Sequence, residues 1–172
     1  MIYGVETRWE LTAEDLKTYT GLQVQAVSPD GQTAAILLST PEACSDVAVL
    51  KLGDRGPLLK TTRIVPRPSA NERLGNPHFS AGVLYATAYT FDVNALDPPR
   101  RLVTVDQADL HLGVPAFPTP TAWVTLRVDS TGREVIWSGK GAEAGNIYIS
   151  TIGKTDKRVL TTGSDVTNVS GL

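Results

Sequence analysis

The sequence is poor in the side chains that most often perform chemistry. Among its 172 residues there is one cysteine, Cys44, and there are two histidines, His78 and His111. A single cysteine excludes an intrachain disulfide, and together with two histidines it is too little for a zinc site. No Gly-x-Ser-x-Gly, His-Glu-x-x-His or paired-cysteine motif occurs. The sequence therefore predicts no catalytic residue, no metal ligand and no cofactor.

The sequence also lacks a strong net charge and a long apolar segment. Sixteen basic and 18 acidic residues give a net charge of −2, which offers no attraction to nucleic acid. No apolar run approaches the roughly 20 residues that a membrane-spanning helix requires. Residues 1–6 contain no basic side chain, so we expect no signal peptide here. We accordingly expect a chain that is either cytoplasmic or a trimmed piece of an exported protein.

What the sequence does contain is a repeated corner. The turn Ser28-Pro29-Asp30-Gly31 is followed by an apolar strand. The proline fixes φ, the aspartate can bond its own backbone, and the glycine accepts a positive φ. Gly82 follows Gly31 by 51 residues, Gly132 follows Gly82 by 50, and each precedes a similar strand. We predict a structural corner at each glycine. We also predict that Asp30 and Asp129 occupy the same turn position and bond their own backbone.

The second half of the repeat supports the same period. Residues 47–53 align without a gap on residues 147–153, and each segment is followed by a polar turn and a short strand. The middle copy is less regular, and we assign residues 91–93 to its third strand and residues 100–104 to its fourth. Self-similarity at this period, with four short strands per unit, indicates propeller blades that stack on one another.

We therefore predict a single all-β domain over residues 1–172, built from β-propeller-like blades of four antiparallel strands. Three full blades are predicted at about 21–65, 78–105 and 121–163, with partial blades at 1–20 and 164–172. The proline-rich residues 66–77 and residues 106–120 are predicted to be connections between blades. Residues 2–5 and 9–12 are assigned to the third and fourth strands of the first partial blade, and the last nine residues to a first strand.

The corner Ser28-Pro29-Asp30-Gly31, the strand Asn146-Ile147-Tyr148-Ile149 and the closing Arg158-Val159-Leu160-Thr161 resemble the blades of the TolB-type (PD40, WD40-like) β-propeller repeat family. The first and third blades match best, and the middle one lacks the Pro-Asp pair. The resemblance implies a fold that builds binding surfaces, as in periplasmic interaction proteins, prolyl oligopeptidase propellers and scaffold proteins. It implies no reaction, because one fold hosts many functions.

A few exposed-loop and aromatic residues are candidates for interaction. Trp9, Trp123 and Trp137 fall at strand positions, where core packing is the default and stacking on a sugar or peptide is the alternative. Lys140 lies in a glycine-rich loop that lacks Walker spacing, so it belongs to a hairpin loop or to an anion-binding nest. We place His78 and His111 in loops, with a solvent or capping role.

Together these features predict a non-catalytic binding or structural module that presents propeller loops to a macromolecular partner. The alternatives are the propeller cap of a peptidase or glycosidase, or a small lectin-like module that binds carbohydrate. Three blades are fewer than the four that close a propeller, so terminal blades would expose apolar faces. We therefore expect either a longer chain, or self-association or docking in which residues 165–169 of one copy meet residues 2–11 of the next.

Overall fold

A computed structural model of the chain describes residues 17–42, 44–54, 56–91, 100–115, 123–139, 146–154 and 157–162. Twelve strands and no helix occur within these ranges. The strands form three separate four-stranded antiparallel sheets, each with its strands in chain order as a meander. The prediction of an all-β chain of four-stranded, blade-like sheets is confirmed.

The first sheet consists of β1 (Gly21–Val27), β2 (Thr33–Ser39), β3 (Ser45–Gly53) and β4 (Gly56–Ile64). The second consists of β5 (Glu72–Ser80), β6 (Val83–Thr90), β7 (Arg100–Val105) and β8 (Leu112–Gly113). The third consists of β9 (Trp123–Val128), β10 (Glu134–Gly139), β11 (Asn146–Thr151) and β12 (Lys157–Thr162).

The sheets stack face to face because both faces of their central strands are apolar. In β2, Ala35 and Leu37 point toward the second sheet, whereas Ala34, Ile36 and Leu38 form a separate cluster on the opposite face. Successive side chains of a strand alternate between its two faces, so an apolar run such as this one serves two cores at once.

The second sheet is therefore enclosed between its two neighbours. Leu84 and Ala86 of β6 pack against the first sheet, in a cluster that also holds Val47 and Val49 of β3. Tyr85, between them in sequence, packs on the other side with Trp137 and Tyr148 of the third sheet. The apolar contacts thus run continuously from the first sheet through the second to the third.

The limits of the second sheet differ from the sequence prediction. Its first strand begins at Glu72, inside the segment predicted as a connection, and its fourth strand, Leu112–Gly113, lies inside the other predicted connection. Arg100–Val105 is the third strand and not the fourth, since it pairs with β6 over six consecutive residue pairs. Pro77 is tolerated in β5 because it falls in the register shift between Gly75 and His78.

The first and third sheets each contain an equivalent backbone hydrogen bond, as their sequence repeat predicts. The amide of Leu52 donates to the carbonyl of Gln32 at 2.7 Å, and the amide of Ile152 donates to the carbonyl of Arg133 at 2.8 Å. In each sheet the end of the third strand is thereby tied to the loop between the first and second. The two sheets are copies of one unit in hydrogen bonding as well as in sequence.

The central strands of the two terminal sheets are buried on their outer faces, whereas Val24 and Val27 of the edge strand β1, which share the outer face of the first sheet, are 45% and 49% exposed. Ile36 and Leu38 on the outer face of the first sheet are 0% exposed, and Ile136 and Ile149 on that of the third are 9% and 8% exposed. The expectation that the terminal sheets present bare apolar faces is therefore wrong for these residues. The strands predicted within residues 2–12 and the last nine residues lie outside the described part of the chain.

Candidate functional site

The first corner is a turn that is held by its own side chains. The amide of Gly31 donates to the carbonyl of Ser28 at 2.8 Å, and Gly31 has a φ of +72°, which favours glycine. The carboxylate of Asp30 accepts hydrogen bonds from the Ser28 hydroxyl at 2.5 Å and from the Gln32 amide at 3.0 Å. The Ser28 hydroxyl oxygen also accepts from the amide of Thr33 at 2.9 Å. The hydrogen bonds from Ser28 and then Gln32 lower the pKa of Asp30.

The third corner has the same backbone but exchanges the two side-chain roles. Gly132 donates to the carbonyl of Asp129 at 3.0 Å, as Gly31 does to that of Ser28, so Asp129 is the counterpart of Ser28 and Thr131 that of Asp30. The prediction that Asp30 and Asp129 share one turn position is wrong. The Asp129 carboxylate accepts from the amides of Arg133 and Glu134 at 2.9 and 2.8 Å. Both aspartates are structural acceptors, since each one satisfies backbone amides of its own turn.

The middle corner is shorter than the other two. Ser80 and Val83 pair directly, and the two residues between them, Ala81 and Gly82, have φ values of +47° and +79°. Two consecutive positive φ angles define the type I′ hairpin turn, which matches the twist of antiparallel strands. The absence of a Pro-Asp pair therefore reflects a different turn type.

The second and third corners contact each other. The hydroxyl of Ser80 donates a hydrogen bond to the carbonyl of Asp129. A Cβ atom on Gly132 would lie 3.0 Å from the Cβ of Ala81, which is closer than two such carbons normally approach. The corner residues predicted from sequence thus fix turns and the packing of neighbouring sheets.

The structure gives the two histidines different environments. His78 belongs to β5 and is half-buried, and its Nε2 accepts a hydrogen bond from the amide of Val128 in β9 at 3.3 Å. The prediction that it lies in a loop is wrong: the proline before it suggested a connection, but the residue belongs to β5. His111 is exposed in the turn between β7 and β8, where its amide donates to Asp109 at 2.8 Å.

The candidate aromatic and lysine residues do not gather at one site. Trp137 is 1% exposed and stacks on Tyr148, with the ring centroids 4.2 Å apart, so it is a core residue and cannot stack on a sugar. Trp123 begins β9, and its side chain lies outside the described residues. Trp9 and Lys140 lie outside them as well.

Sequence reasoning missed a cleft between the first and second sheets, at the strand ends opposite the corners. It has a volume of about 290 Å³, and its lining residues come from both sheets: Leu37, Ser45, Gly75, Asn76, Thr87, Tyr89 and Arg100. Leu37 provides apolar surface, while hydroxyl, amide and guanidinium groups provide polar surface. Tyr89 lies in β6, which is rich in aromatic residues. This richness is the one sequence signal that could have indicated the cleft.

A chain of hydrogen bonds fixes the wall of this cleft. The hydroxyl of Ser45 donates to the carbonyl of Leu74 at 2.9 Å, which links β3 to β5. The hydroxyl of Tyr89 lies 3.0 Å from the Ser45 oxygen and must be the donor there, because the one Ser45 proton is already used. Gly75 lies beside the Tyr89 ring, since a Cβ atom on Gly75 would be in van der Waals contact with it at 3.4 Å.

A second depression lies at the start of the first sheet. Its volume is about 580 Å³, and it is lined by Lys17, Thr18, Tyr19, Thr20, Thr40, Pro41, Glu42 and Arg67. Beside it, the side chain of Asp46 is 3% exposed and accepts hydrogen bonds from Tyr19 and Arg67. Burial works to raise the pKa of Asp46, but the hydrogen bonds from Arg67 and Tyr19 outweigh it and lower the pKa. Burial and the neighbouring Asp46 charge raise the pKa of Tyr19 to about 12.

The described residues contain no arrangement that would hold a metal ion. Within those ranges, no three His, Cys, Asp or Glu side chains are grouped closely enough to act as ligands. Cys44 is free and buried, with its sulfur 3.7 Å from the carbonyl oxygen of Glu42. In the same part of the chain there is no helix long and apolar enough to span a membrane.

These features define an all-β protein of stacked, four-stranded, blade-like sheets, with surface depressions at both ends of the strands. Neither a protein-family model nor a curated protein sequence matches this chain.

Proposed function

We propose that this chain is a non-catalytic binding module of the TolB-type (PD40, WD40-like) repeat family. It presents the strand ends and loops opposite its corners to a protein partner. The family assignment is supported by the repeat of the corner and of the third strand in the first and third sheets. The binding role is supported by the geometry of the cleft between the first two sheets.

The observation that carries the proposal is the size of this cleft together with the hydrogen bonds in its wall. Its volume of about 290 Å³ lies at the lower limit of small-molecule pockets, which span about 300–1,000 Å³. A space of this size suits one anchoring side chain of a partner, the kind of contact that dominates protein interfaces. Because Tyr89, Ser45 and the Leu74 carbonyl are already bonded to one another, little ordering is required on binding.

The chemistry of the cleft supports binding over hydrolysis. A serine nucleophile requires a base that accepts its proton, but the proton of Ser45 points to the carbonyl of Leu74. His78 lies at the contact between the second and third sheets, and His111 lies in a turn at the corner end of the second. Neither imidazole lines the cleft.

Two other functions from the sequence analysis have weaker support. A lectin-like role would use Tyr89 as its aromatic surface, because Trp137 is buried. The propeller cap of a peptidase or glycosidase would act beside a separate catalytic domain. Self-association is the third possibility, because the described residues form three sheets and a closed propeller has four or more blades. It would complete the module without changing its binding role.

The proposal is tested with the full chain and a displayed library of random peptides. Peptides selected on the protein are measured for affinity by calorimetry, against the chain as it is and against Arg100→Ala at the cleft. We expect a loss of affinity of about 10-fold for Arg100→Ala. Arg133→Ala, at the opposite end of the third sheet, is the matched control and should bind as the unchanged chain does.

Equal affinity for all three proteins would contradict the assignment of the cleft as the binding site. Turnover of the bound peptide would contradict the non-catalytic role, and binding confined to a glycan array would favour the lectin alternative. Light scattering on the same samples tests self-association separately: a monomer at every concentration would contradict assembly and would leave the binding role standing.

A further inference from the structure

The imidazole of His78 joins the second sheet to the third. Its Nε2 accepts a hydrogen bond from the amide of Val128, at 3.3 Å, so this nitrogen carries no proton. Its Nδ1 lies 3.3 Å from the carbonyl oxygen of Asn76, and the ring proton therefore sits on Nδ1 and points to that oxygen. The contact requires a neutral imidazole in a single tautomer.

The groups around His78 disfavour a second proton. Its ring stacks on Tyr85 of β6, with the ring centroids 5.6 Å apart. Arg127 of β9 is the charged residue whose field acts on the imidazole, and Asp129, just beyond β9, acts on Tyr85. Burial lowers the pKa of His78 to about 4, the hydrogen bond to Asn76 opposes this shift, and the charge of Arg127 adds to it.

We propose that protonation of His78 weakens the contact between the second and third sheets and favours its opening, so that this contact is an acid-sensitive joint. A proton on Nε2 would place a donor against the Val128 amide, which is also a donor. It would also place a positive charge near Arg127. Both changes destabilise the closed contact and leave the separated sheets unaffected.

The contact between the first and second sheets has no such group among its described interactions. It is formed by the aliphatic cluster that includes Ala35, Val47 and Leu84 and by the hydrogen bonds of the Ser45 hydroxyl with Leu74 and Tyr89. Arg63 adds hydrogen bonds from its guanidinium to the carbonyls of Gln107 and Ala108 at 3.1 and 2.8 Å. An arginine keeps its charge throughout the accessible pH range. Acid therefore acts on one contact of the stack and spares the other.

The expected change in the opening equilibrium follows from the folded and the ordinary pKa values of His78. The folded value near 4 lies below the ordinary value of 6.5, so the contribution of His78 to stability is complete above pH 6.5 and is lost as the pH falls toward 4. Between pH 7.5 and pH 5, the equilibrium constant for opening the joint should rise about 30-fold. Most carboxylates remain ionised over this interval.

Hydrogen exchange of the full chain tests the proposal. It is measured by mass spectrometry at pH 7.5 and pH 5, and the rates are corrected for the effect of pH on intrinsic amide exchange. The amides of β10 and β11 should lose protection about 30-fold, while those of β2 and β3 keep theirs. His78→Gln can still accept from Val128 through its side-chain oxygen and stays neutral, so it should abolish the loss. His111→Gln, which changes the other histidine, should retain it.

An equal loss of protection in the chain with and without His78→Gln would overturn the proposal, and so would equal losses in the first and third sheets. If His78→Gln does not fold, proton NMR of the His111→Gln variant replaces it, because that variant contains one imidazole. A titration midpoint of the folded protein below pH 5 supports the proposal. A midpoint near 6.5 contradicts it.

Discussion

Arg67 binds Asp46 through two parallel hydrogen bonds, from Nε to Oδ1 at 2.8 Å and from Nη2 to Oδ2 at 2.7 Å. Asp46 is the second residue of β3 in the first sheet, and Arg67 lies in the connection that leads to the second sheet. The side chain of Asp46 is 3% exposed and that of Arg67 is 41% exposed. The ion pair between the buried Asp46 carboxylate and the half-exposed Arg67 guanidinium therefore fixes the connection against the first sheet.

Arg67→Ala should destabilise the chain by about 2 kcal/mol, because it leaves a buried carboxylate with the hydroxyl of Tyr19 as its remaining described donor. Urea unfolding at pH 7 measures this effect. In the double variant Asp46→Asn/Arg67→Ala the loss should be smaller than the sum of the two single losses, since no charge remains to be satisfied. Additive losses would contradict a direct interaction between the two side chains.

Two corner glycines should differ in their tolerance of a side chain. Gly31 has a φ of +72°, and no atom lies within 4 Å of the position that a Cβ would take, so Gly31→Ala should cost about 1 kcal/mol for backbone strain alone. Gly132 has a φ of +71° and faces the Cβ of Ala81 at 3.0 Å, so Gly132→Ala should cost about 2 kcal/mol. Thermal unfolding compares the variants, and Gly31→Asn is the control because asparagine tolerates positive φ. Equal losses at both positions would show that the contact with Ala81 is unimportant.

The exchange of side-chain roles between the corners can be tested at Asp129. Asp129→Ala should cost about 1–2 kcal/mol because amides of the turn lose their acceptor. Asp129→Ser should recover part of this loss, because the Ser28 hydroxyl accepts from the corresponding amide in the first corner. Equal stability of the alanine and serine variants, measured by urea unfolding, would argue against equivalence of the two positions.

Asp129 should also contribute to the acid limit of stability. Partial burial works to raise its pKa, but the hydrogen bond from Thr131 and those from the backbone amides lower it overall. A lowered folded pKa means that the contribution is present above the ordinary carboxyl range and is lost as the pH falls below about 4. The midpoint of thermal unfolding should therefore fall less steeply below pH 4 in Asp129→Asn than in the unchanged chain. Identical slopes would contradict the assignment.

Truncation of Trp137 tests the contact between the second and third sheets. Its indole is 1% exposed, stacks on Tyr148 and belongs to one buried cluster with Tyr85 and Leu102 of the second sheet, so Trp137→Ala should cost about 3–5 kcal/mol. Trp137→Phe keeps an aromatic ring and should retain most of that stability. Urea unfolding separates the two variants, and a loss below about 1 kcal/mol for the alanine variant would show that the indole is not a core residue.

Local patterns predict the first and third sheets well because their strands obey simple rules. The apolar run of β2 follows a recognisable corner and is repeated at a fixed distance, and both signals depend on nearby residues. The second sheet was harder, since Pro77 argues against a strand unless a register shift accommodates it. No property of neighbouring residues reveals that shift.

The cleft could not be predicted for a related reason. Its wall depends on the hydrogen bond between Ser45 and Tyr89, which are 44 residues apart in different sheets. The Tyr89 ring packs beside Gly75, a residue that sequence reasoning assigned to a connection. Contacts across sheets depend on how the sheets stack, and a repeat period establishes their order but not their contacts.

The alternation along β6 limits the insertions and deletions that this chain can accept. Leu84, Ala86 and Ala88 fit the aliphatic contact with the first sheet, and Tyr85 fits the aromatic contact with the third. Adding or removing one residue within β6 would exchange the two faces, forcing a tyrosine into the aliphatic space and small side chains opposite Trp137. Length changes during evolution are therefore expected outside this central strand, which should keep its length.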